Sequence, residues 1–277
     1  MRGPVSGEAT ARKPGAPAKL SLKGISQRFG ETQALAPTDL DIGHGEFVSV
    51  VGPSGCGKST MFNIVAGVLD PTQGRVSIDG KDVTGRAGHV GYMLQKDLLL
   101  PWRTVIDNIV LAAILKGGAS RAQQAEGVAL ARRYGLGDFI NHYPSALSGG
   151  MRQRVALMRT LAMHHDVMLL DEPFGALDSQ TRLSMQQWLL SVWAQERRTI
   201  VFVTHDIDEA VLLADRVVVM TPRPGRIREI LPVPIERPRP MSSLTSPEFS
   251  RLKAHILDLI YSDGSTANPF ELDTPHG

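Results

Sequence analysis

A glycine-rich segment between an apolar run, residues 46–51, and a run with helical character, residues 60–66, constrains the fold of this chain more than any other stretch. Its glycines stand at the first, fourth and sixth of eight positions, and a lysine and a serine end it. This order predicts a strand, a loop and a helix. The segment and the residue that follows it are Gly52, Pro53, Ser54, Gly55, Cys56, Gly57, Lys58, Ser59 and Thr60.

The chemistry of this loop suits the phosphates of a nucleotide. Glycines let the backbone curl so that successive N–H groups point inward and surround an anion. The following helix adds its unpaired N–H groups and its dipole. We expect Lys58 to reach the β- and γ-phosphates and the Ser59 hydroxyl to ligate Mg²⁺. An incidental glycine turn is the alternative, and the flanking strand and helix argue against it.

Composition limits the classes of partner. The 277 residues are 42% hydrophobic and 21% charged, which is ordinary for a globular protein of one large domain or two intimate lobes. A formal net charge of +2 gives no support to nucleic acid or an anionic membrane as a partner. A single cysteine excludes an internal disulfide, and no apolar run approaches the roughly 18 residues that span a bilayer.

Two acids follow a fully apolar run, residues 167–170, which predicts a buried parallel strand. Open α/β sheets bind ligands at the carboxyl ends of their strands. We therefore expect Asp171 to hold Mg²⁺ through water and Glu172 to polarise the attacking water. Acids that are merely solvated at a strand end are the alternative.

Two more polar residues follow predicted strands. His205 comes after the apolar run 199–203, and we expect it to contact the γ-phosphate, although a histidine at a strand end is often a satisfied core residue. Gln95 follows the strand predicted over 90–94. Its amide points either at the metal of the nucleotide or into solvent.

Three other features leave two interpretations open. Ser148 and two glycines open a helix, which is either an anion site or a plain capped helix. Phe29, at a hairpin-like corner, either stacks on adenine or belongs to the core. The apolar residues 98–102 form either an exposed patch for a partner or an anchor into the core.

The remaining patterns alternate between strand and helix. Residues 104–163 show helix signals alone, with N-caps at Thr104 and Ser120, so a helical insert is expected within an α/β chain. After residue 221, prolines interrupt two short predicted strands, 226–229 and 231–235. A helix then begins at Pro247.

Together these residues resemble the ATP-binding subunit of ABC transporters. Residues 52–59 resemble the Walker A motif, and residues 167–172 resemble Walker B with its catalytic glutamate. Residues 147–151 are similar to the signature L-S-G-G-Q, with methionine in the last place. The resemblance implies the following site residues: catalytic Glu172, His205 and Gln95; metal ligands Ser59, Gln95 and Asp171; adenine-stacking Phe29; signature residues Ser148, Gly149, Gly150 and Met151; and Asp178 of the D-loop.

The implied fold is an α/β P-loop NTPase core of the ABC ATPase type, with an antiparallel β subdomain and an inserted α-helical subdomain. The expected organisation is a disordered N-terminal tail, an ATP-binding domain that contains the helical insert, a Pro-rich extension with a terminal helix, and a disordered tail. The corresponding ranges are 1–19, 20–221 with the insert at about 96–163, 222–263, and 264–277.

The resemblance also implies a mechanism. One phosphate loop and one signature stand at opposite ends of the domain, so two chains in a head-to-tail homodimer would enclose two ATP molecules, each between Lys58 of one chain and Ser148 of the other. The implied cofactors are ATP and Mg²⁺. The implied partners are transmembrane permease subunits, contacted by residues 98–102, and indirectly an extracytoplasmic solute-binding protein. The expected location is the cytoplasmic face of the inner membrane.

Residues 99–104 and 223–227 are similar to the nitrate, sulfonate and taurine importer group. Importers of pyrimidine precursors or bicarbonate are the alternative. A soluble ABC ATPase of DNA repair or translation would be expected to show coiled coils, zinc cysteines or tandem cassettes, which the sequence does not show. A P-loop kinase would not need residues 147–151. The sequence thus predicts an ATP hydrolase that powers import.

Overall fold

A computed structural model describes residues 17–175 and 177–262. The first of its two sheets is antiparallel, with strand order β2-β1-β4-β5, and consists of β1 (Leu20–Phe29), β2 (Thr32–Ile42), β4 (Gln73–Ile78) and β5 (Lys81–Asp82). The second has the order β10-β9-β3-β8-β7-β6 and consists of β3 (Phe47–Val51), β6 (Gly91–Met93), β7 (Val167–Asp171), β8 (Thr199–Val203), β9 (Arg216–Met220) and β10 (Ile227–Pro232). All its strand pairs are parallel except β9 with β10.

Eight α-helices lie within the described residues. They are α1 (Lys58–Val65), α2 (Val105–Ile109), α3 (Leu111–Leu115), α4 (Arg121–Arg133), α5 (Gly149–Leu161), α6 (Ser179–Glu196), α7 (Ile207–Leu213) and α8 (Pro247–Tyr261). None of the helices in these ranges has the length and apolar character needed to cross a membrane.

The parallel sheet is the centre of two hydrophobic layers. Its central strands β3, β7 and β8 are buried on both faces, and successive residues point to opposite faces. On β3, Phe47 and Val51 join the cluster beneath α5, α6 and α7, whereas Val48 and Val50 join the cluster shared with α1 and the antiparallel sheet. A continuous apolar run in the sequence therefore places side chains in both hydrophobic clusters.

The register of the parallel strands brings their carboxyl ends to one edge. Val50 of β3 pairs with Val203 of β8, and Val203 also pairs with Asp171 of β7. The residues that follow these strands are therefore neighbours, although they are far apart in the sequence. The predicted α/β class, with its antiparallel sheet and helical segment, is confirmed.

The helical segment departs from the prediction at one point. The helix expected over residues 104–115 is broken at Val110, where α2 ends and α3 begins. Side chains of Val110 and Ile106 pack so closely on Gly127 of α4 that a Cβ there would lie 2.7 and 2.9 Å from them. This packing between helices is not visible in a propensity pattern.

Two boundaries also differ from the prediction. Lys19, assigned to the tail, is buried, and its ammonium group donates to Asp79 and Asp166 at 2.7 Å each. The two strands expected after residue 221 form the single strand β10, and Pro232 closes its pairing with Arg216. Residues 1–16 of the predicted N-terminal tail and the whole predicted tail 264–277 lie outside the described residues, as do residue 263 and Ala176.

Candidate functional site

The phosphate loop joins β3 to α1 at the carboxyl edge of the parallel sheet. Gly55 and Gly57 have φ values of 75° and 101°, a region that favours glycine. Lys58 is buried, and its Nζ donates to the carbonyl oxygens of Gly52 at 2.8 Å and Pro53 at 3.0 Å. The ammonium group therefore lies inside the curl of the loop.

The start of α1 leaves donors for a ligand. Gly57 is its N-cap and has no side chain with which to cap it. The first N–H groups of a helix have no intrahelical acceptor, so those of Lys58, Ser59 and Thr60 face the loop without a capping side chain. This arrangement has the backbone donors and the positive charge that an anion needs.

Asp171 ends β7 beside the loop. It is 5% exposed, and burial raises the pKa of its carboxyl group. Hydrogen bonds from Ser59 and Tyr92 and the charge of Lys58 oppose that effect by favouring the carboxylate. The predicted pair of metal ligands, Ser59 and Asp171, is thus in direct contact.

Gln95 and His205 both lie close to one carboxylate oxygen atom of Glu172. Nε2 of Gln95 lies 3.0 Å from Oε2 of Glu172, and Nδ1 of His205 lies 3.4 Å from the same atom. Glu172 has φ 43°, and its N–H donates to the Val203 carbonyl at 2.9 Å, which ties it to β8. The structure brings together all three residues that the sequence predicts to be catalytic.

The segment that contains His205 leads into α7, whose first turn is held by hydrogen bonds to buried side chains. Asp206 caps this helix through the N–H of Glu209 at 3.1 Å. Glu209 is itself buried, accepts from Thr204 Oγ1 and from Gln186 Nε2, and has a pKa raised by burial. His205 stays exposed at the sheet edge, in front of this network.

The signature segment starts α5. Ser148 is its N-cap, and its hydroxyl accepts from the N–H of Met151 at 3.3 Å. Asp178 caps α6 through Thr181, whose methyl group packs against Gly150. Within residues 17–175 and 177–262, no hydrogen bond or ion pair joins Ser148 to the phosphate loop.

Phe29 lies at the end of β1, paired with Thr32 across the hairpin, and is 50% exposed. It is therefore not a core residue. Its ring stands on the antiparallel sheet, whose strand β2 reaches the phosphate loop, because a Cβ at Gly57 would lie 3.0 Å from the Ala34 carbonyl oxygen.

The apolar residues 98–102 divide into two kinds. Leu98 and Trp102 are 52% and 69% exposed, whereas Leu99 is 8% exposed. The backbone around them is held by Asn108, which accepts from Leu100 N at 2.8 Å. Leu98 and Trp102 are therefore exposed, whereas Leu99 anchors the loop in the core.

Sequence reasoning missed two residues beside the loop. Tyr92 on β6 lowers the pKa of Asp171, while its hydroxyl donates to Asn63 Oδ1 at 3.2 Å, and Arg223 donates to the carbonyl oxygen of Gly55 at 3.3 Å. For Tyr92, the alternation of side chains along β6 gave only a weak indication of a place in the site. No local pattern indicated Arg223, because its contact joins residues 168 positions apart.

The donor set fits a Mg²⁺ ion. Magnesium prefers oxygen ligands and keeps several waters, and it is commonly held by one or two carboxylates and phosphates. The Ser59 hydroxyl and the buried Asp171 carboxylate supply such oxygens beside the loop. Gln95 lies next to them through its contact with Glu172.

Comparisons with known proteins agree with this geometry. Residues 35–175 match the model of the ABC transporter family. The chain is 42% identical over 244 residues to the taurine import ATP-binding protein TauB of Rhizobium johnstonii, covering 86% of this chain and 93% of the relative. It is 41% identical over 242 residues to the aliphatic sulfonates import ATP-binding protein SsuB of Bacillus licheniformis, covering 86% and 92%.

A solved structure leads to the same family. The dimeric, post-hydrolysis structure of the ATP-binding cassette MJ0796, bound to ADP and Pi, is similar with a TM-score of 0.68 at 33% identity. The match covers 78% of this chain and all of that one. The chain therefore belongs to the ABC transporter ATP-binding proteins, which bind and hydrolyse ATP.

Proposed function

We propose that the chain is the ATP-hydrolysing subunit of an importer that takes up a small anion such as nitrate, a sulfonate or taurine through a partner permease. The similarity to named taurine and aliphatic sulfonate import proteins, over 86% of the chain, carries the proposal. An importer of bicarbonate or a pyrimidine precursor is the alternative, followed by an ABC ATPase without a transport role.

Residues 52–60 bind the phosphates of ATP in this proposal. The inward N–H groups of the loop and of α1 surround the anion. Lys58 now donates to two neutral carbonyl oxygens, and phosphate oxygens are stronger acceptors for a charged donor. The lysine would therefore turn from the loop carbonyls to the β- and γ-phosphates.

Ser59, Asp171 and Gln95 would hold Mg²⁺, Asp171 through a water molecule. The ion, when bound, neutralises part of the charge of the phosphates. A nearby dication would favour the ionised form of Asp171 and so oppose the effect of burial on its pKa.

Glu172 would polarise the attacking water. Its Oε2 accepts a hydrogen bond from Gln95, and Nδ1 of His205 lies 3.4 Å from the same oxygen, so both side chains border the carboxylate. His205 would also contact the γ-phosphate. Loss of that phosphate would change the contacts of His205 and Gln95. Through Gln95, hydrolysis would then alter the conformation of the helical segment.

The complete site would need two copies of the chain. Ser148 and the N–H groups of Gly149, Gly150 and Met151 would meet the ATP held by the partner, which fits the absence, among the described residues, of any hydrogen bond or ion pair between Ser148 and its own phosphate loop. Asp178 would lie at the same interface, and Phe29 would stack on adenine from the exposed end of β1.

The exposed pair Leu98 and Trp102 would contact the permease at the cytoplasmic face of the inner membrane. They lie three and seven residues after Gln95 in the sequence. A movement of Gln95 at the metal would therefore pass to them through a short segment of backbone. A solute-binding protein outside the membrane would deliver the solute to the permease.

Uptake by a deletion strain of the host tests this function. We expect loss of growth on taurine or an alkanesulfonate as sole sulfur source, or on nitrate as sole nitrogen source, with rescue by the native gene and none by the E172Q variant. Growth that is lost on bicarbonate limitation or on a pyrimidine precursor instead would select the alternative. Growth unaffected on all of these would contradict an import role.

A further inference from the structure

The turn between β9 and β10, residues 221–226, lies against the outer side of the phosphate loop. Nε of Arg223 donates to the Gly55 carbonyl oxygen at 3.3 Å, and Nη2 lies 3.7 Å from where a Cβ of Gly55 would stand. Arg223 is exposed, and among the described residues this is its one side-chain hydrogen bond. The guanidinium group therefore has the phosphate loop as its partner.

The backbone of this turn is fixed between β2 and the loop. Gly225 N–H donates to the Ala34 carbonyl at 3.1 Å, and the Gly225 carbonyl accepts from Ala36 N–H at 2.8 Å. A Cβ on Gly225 would stand 1.7 Å from the Cys56 carbonyl oxygen, so only glycine permits the approach. The turn thus meets the carbonyl groups of two consecutive loop residues, Gly55 and Cys56.

These carbonyl groups matter because of how a phosphate loop works. In a trans peptide unit the C=O of one residue and the N–H of the next point in opposite directions, so a carbonyl held on the outer side of the loop turns the next N–H inward. A charged donor makes a stronger hydrogen bond than a neutral one, so a guanidinium group on an outward carbonyl favours that orientation of the peptide. Holding the loop in this shape before ATP arrives lowers the ordering cost of binding.

We propose that Arg223 is a positioning residue for ATP, which acts through the Gly55 carbonyl to keep the phosphate loop in its anion-binding shape. The inference rests on the proposed role of residues 52–60 in holding the phosphates. The water-activating group Glu172 follows a different strand, β7. Arg223 therefore affects the affinity for ATP and not the rate of the chemical step.

The test compares R223A with R226A in the full-length protein. Arg226 lies in the same turn and is exposed, and its side chain has no hydrogen bond to the loop among the described residues. Both variants remove one positive charge from the same place. We expect R223A to raise the KM for ATP, and the Kd for ATP measured by calorimetry, about 5-fold with kcat within about 2-fold. R226A should leave all three constants unchanged.

Two further variants make the result decisive. R223K keeps the charge and one donor, and we expect it to recover at least part of the lost affinity. Unchanged KM in R223A, an equal rise in R226A, no recovery in R223K, or a fall in kcat as large as the rise in KM would each overturn the inference.

K58A separates the two proposals. If K58A also binds ATP normally, the assignment of the loop fails, whereas normal binding by R223A alone overturns only the role of Arg223.

Discussion

At the residue scale, polar residues gather at the edge of the parallel sheet where its apolar strands end. Asp171 ends a strand, Glu172 and His205 come after strands, and parallel strands end at one edge. The sequence could not show that Gln95 and His205 share one carboxylate oxygen, because that depends on rotamers and on the left-handed backbone at Glu172.

Glu172→Gln should abolish turnover while ATP binding persists. The amide keeps the shape of the side chain but cannot accept a proton from water, and loss of a general base lowers rates by about 100-fold or more. Phosphate release gives the rate, and calorimetry gives the affinity. E31Q, in the exposed turn after β1, is the matched control for loss of one charge. Normal hydrolysis by E172Q would remove Glu172 from its proposed role.

At the scale of elements, the C-terminal part of the chain contacts α7, the helix that follows His205. Arg239 is buried and donates to the carbonyl oxygens of Val211 and Leu212 at the end of this helix. Lys253 of α8 pairs with Asp208 in its first turn at 2.7 Å. The sequence predicted α8 from its cap and apolar face. It did not predict these long-range contacts, since propensity describes only local structure.

The pH dependence of stability should report the buried carboxyl of Glu209 at the start of α7. Its pKa is raised in the folded state, so its contribution to stability is fully present below the unfolded pKa and is lost as pH rises through the folded pKa. E209Q removes that loss and retains groups that can bond to Thr204 and Gln186. We expect E209Q to gain stability relative to the native protein as pH increases, by about 1 kcal/mol or more at pH 8.

Urea unfolding of E209Q and native protein at pH 4 and pH 8 measures this difference. E31Q again serves as the control, because its carboxyl is exposed. A stability difference that is the same at both pH values, or that shrinks as pH rises, would contradict the effect of burial.

The loop at residues 98–102 shows how far an apolar run can be interpreted. Five consecutive residues without a helical or strand periodicity do not indicate which side chains are buried. The structure separates buried Leu99 from exposed Leu98 and Trp102.

We expect the double variant L98S/W102S to fold and hydrolyse ATP normally as an isolated subunit but to lose coupling to transport. L99S should instead lower Tm, because it removes a buried apolar side chain.

Uptake in cells and ATPase activity of the purified subunit, measured side by side, test this separation. T84S, in the turn that follows β5, is a conservative control for the effects of expression and purification. Transport that is unaltered in L98S/W102S would exclude this surface as the contact with the permease.

At the scale of the whole molecule, the two parts that would contact one ATP in the proposed mechanism start different helices. The phosphate loop precedes α1, whereas Ser148 starts α5 in the helical segment, and no hydrogen bond among the described residues links them. The similar cassette MJ0796 was solved as a dimer. If this chain pairs with a second copy by a two-fold axis, each loop faces the signature of the other copy.

Mixing two inactive variants tests this arrangement. In K58A every site lacks the lysine. In S148D every site has a negative charge at the signature, while aspartate still caps α5. A mixed dimer combines both defects in one site and leaves the other site intact. Random pairing makes half of the dimers mixed, each with one of two sites intact, so the mixture should recover about a quarter of native ATPase activity if the sites act independently. S120D, which changes the cap of α4 in the same way, should stay active alone. If the mixture shows only the sum of its two components, a site built from two chains is ruled out, because only a shared site lets one variant repair the other.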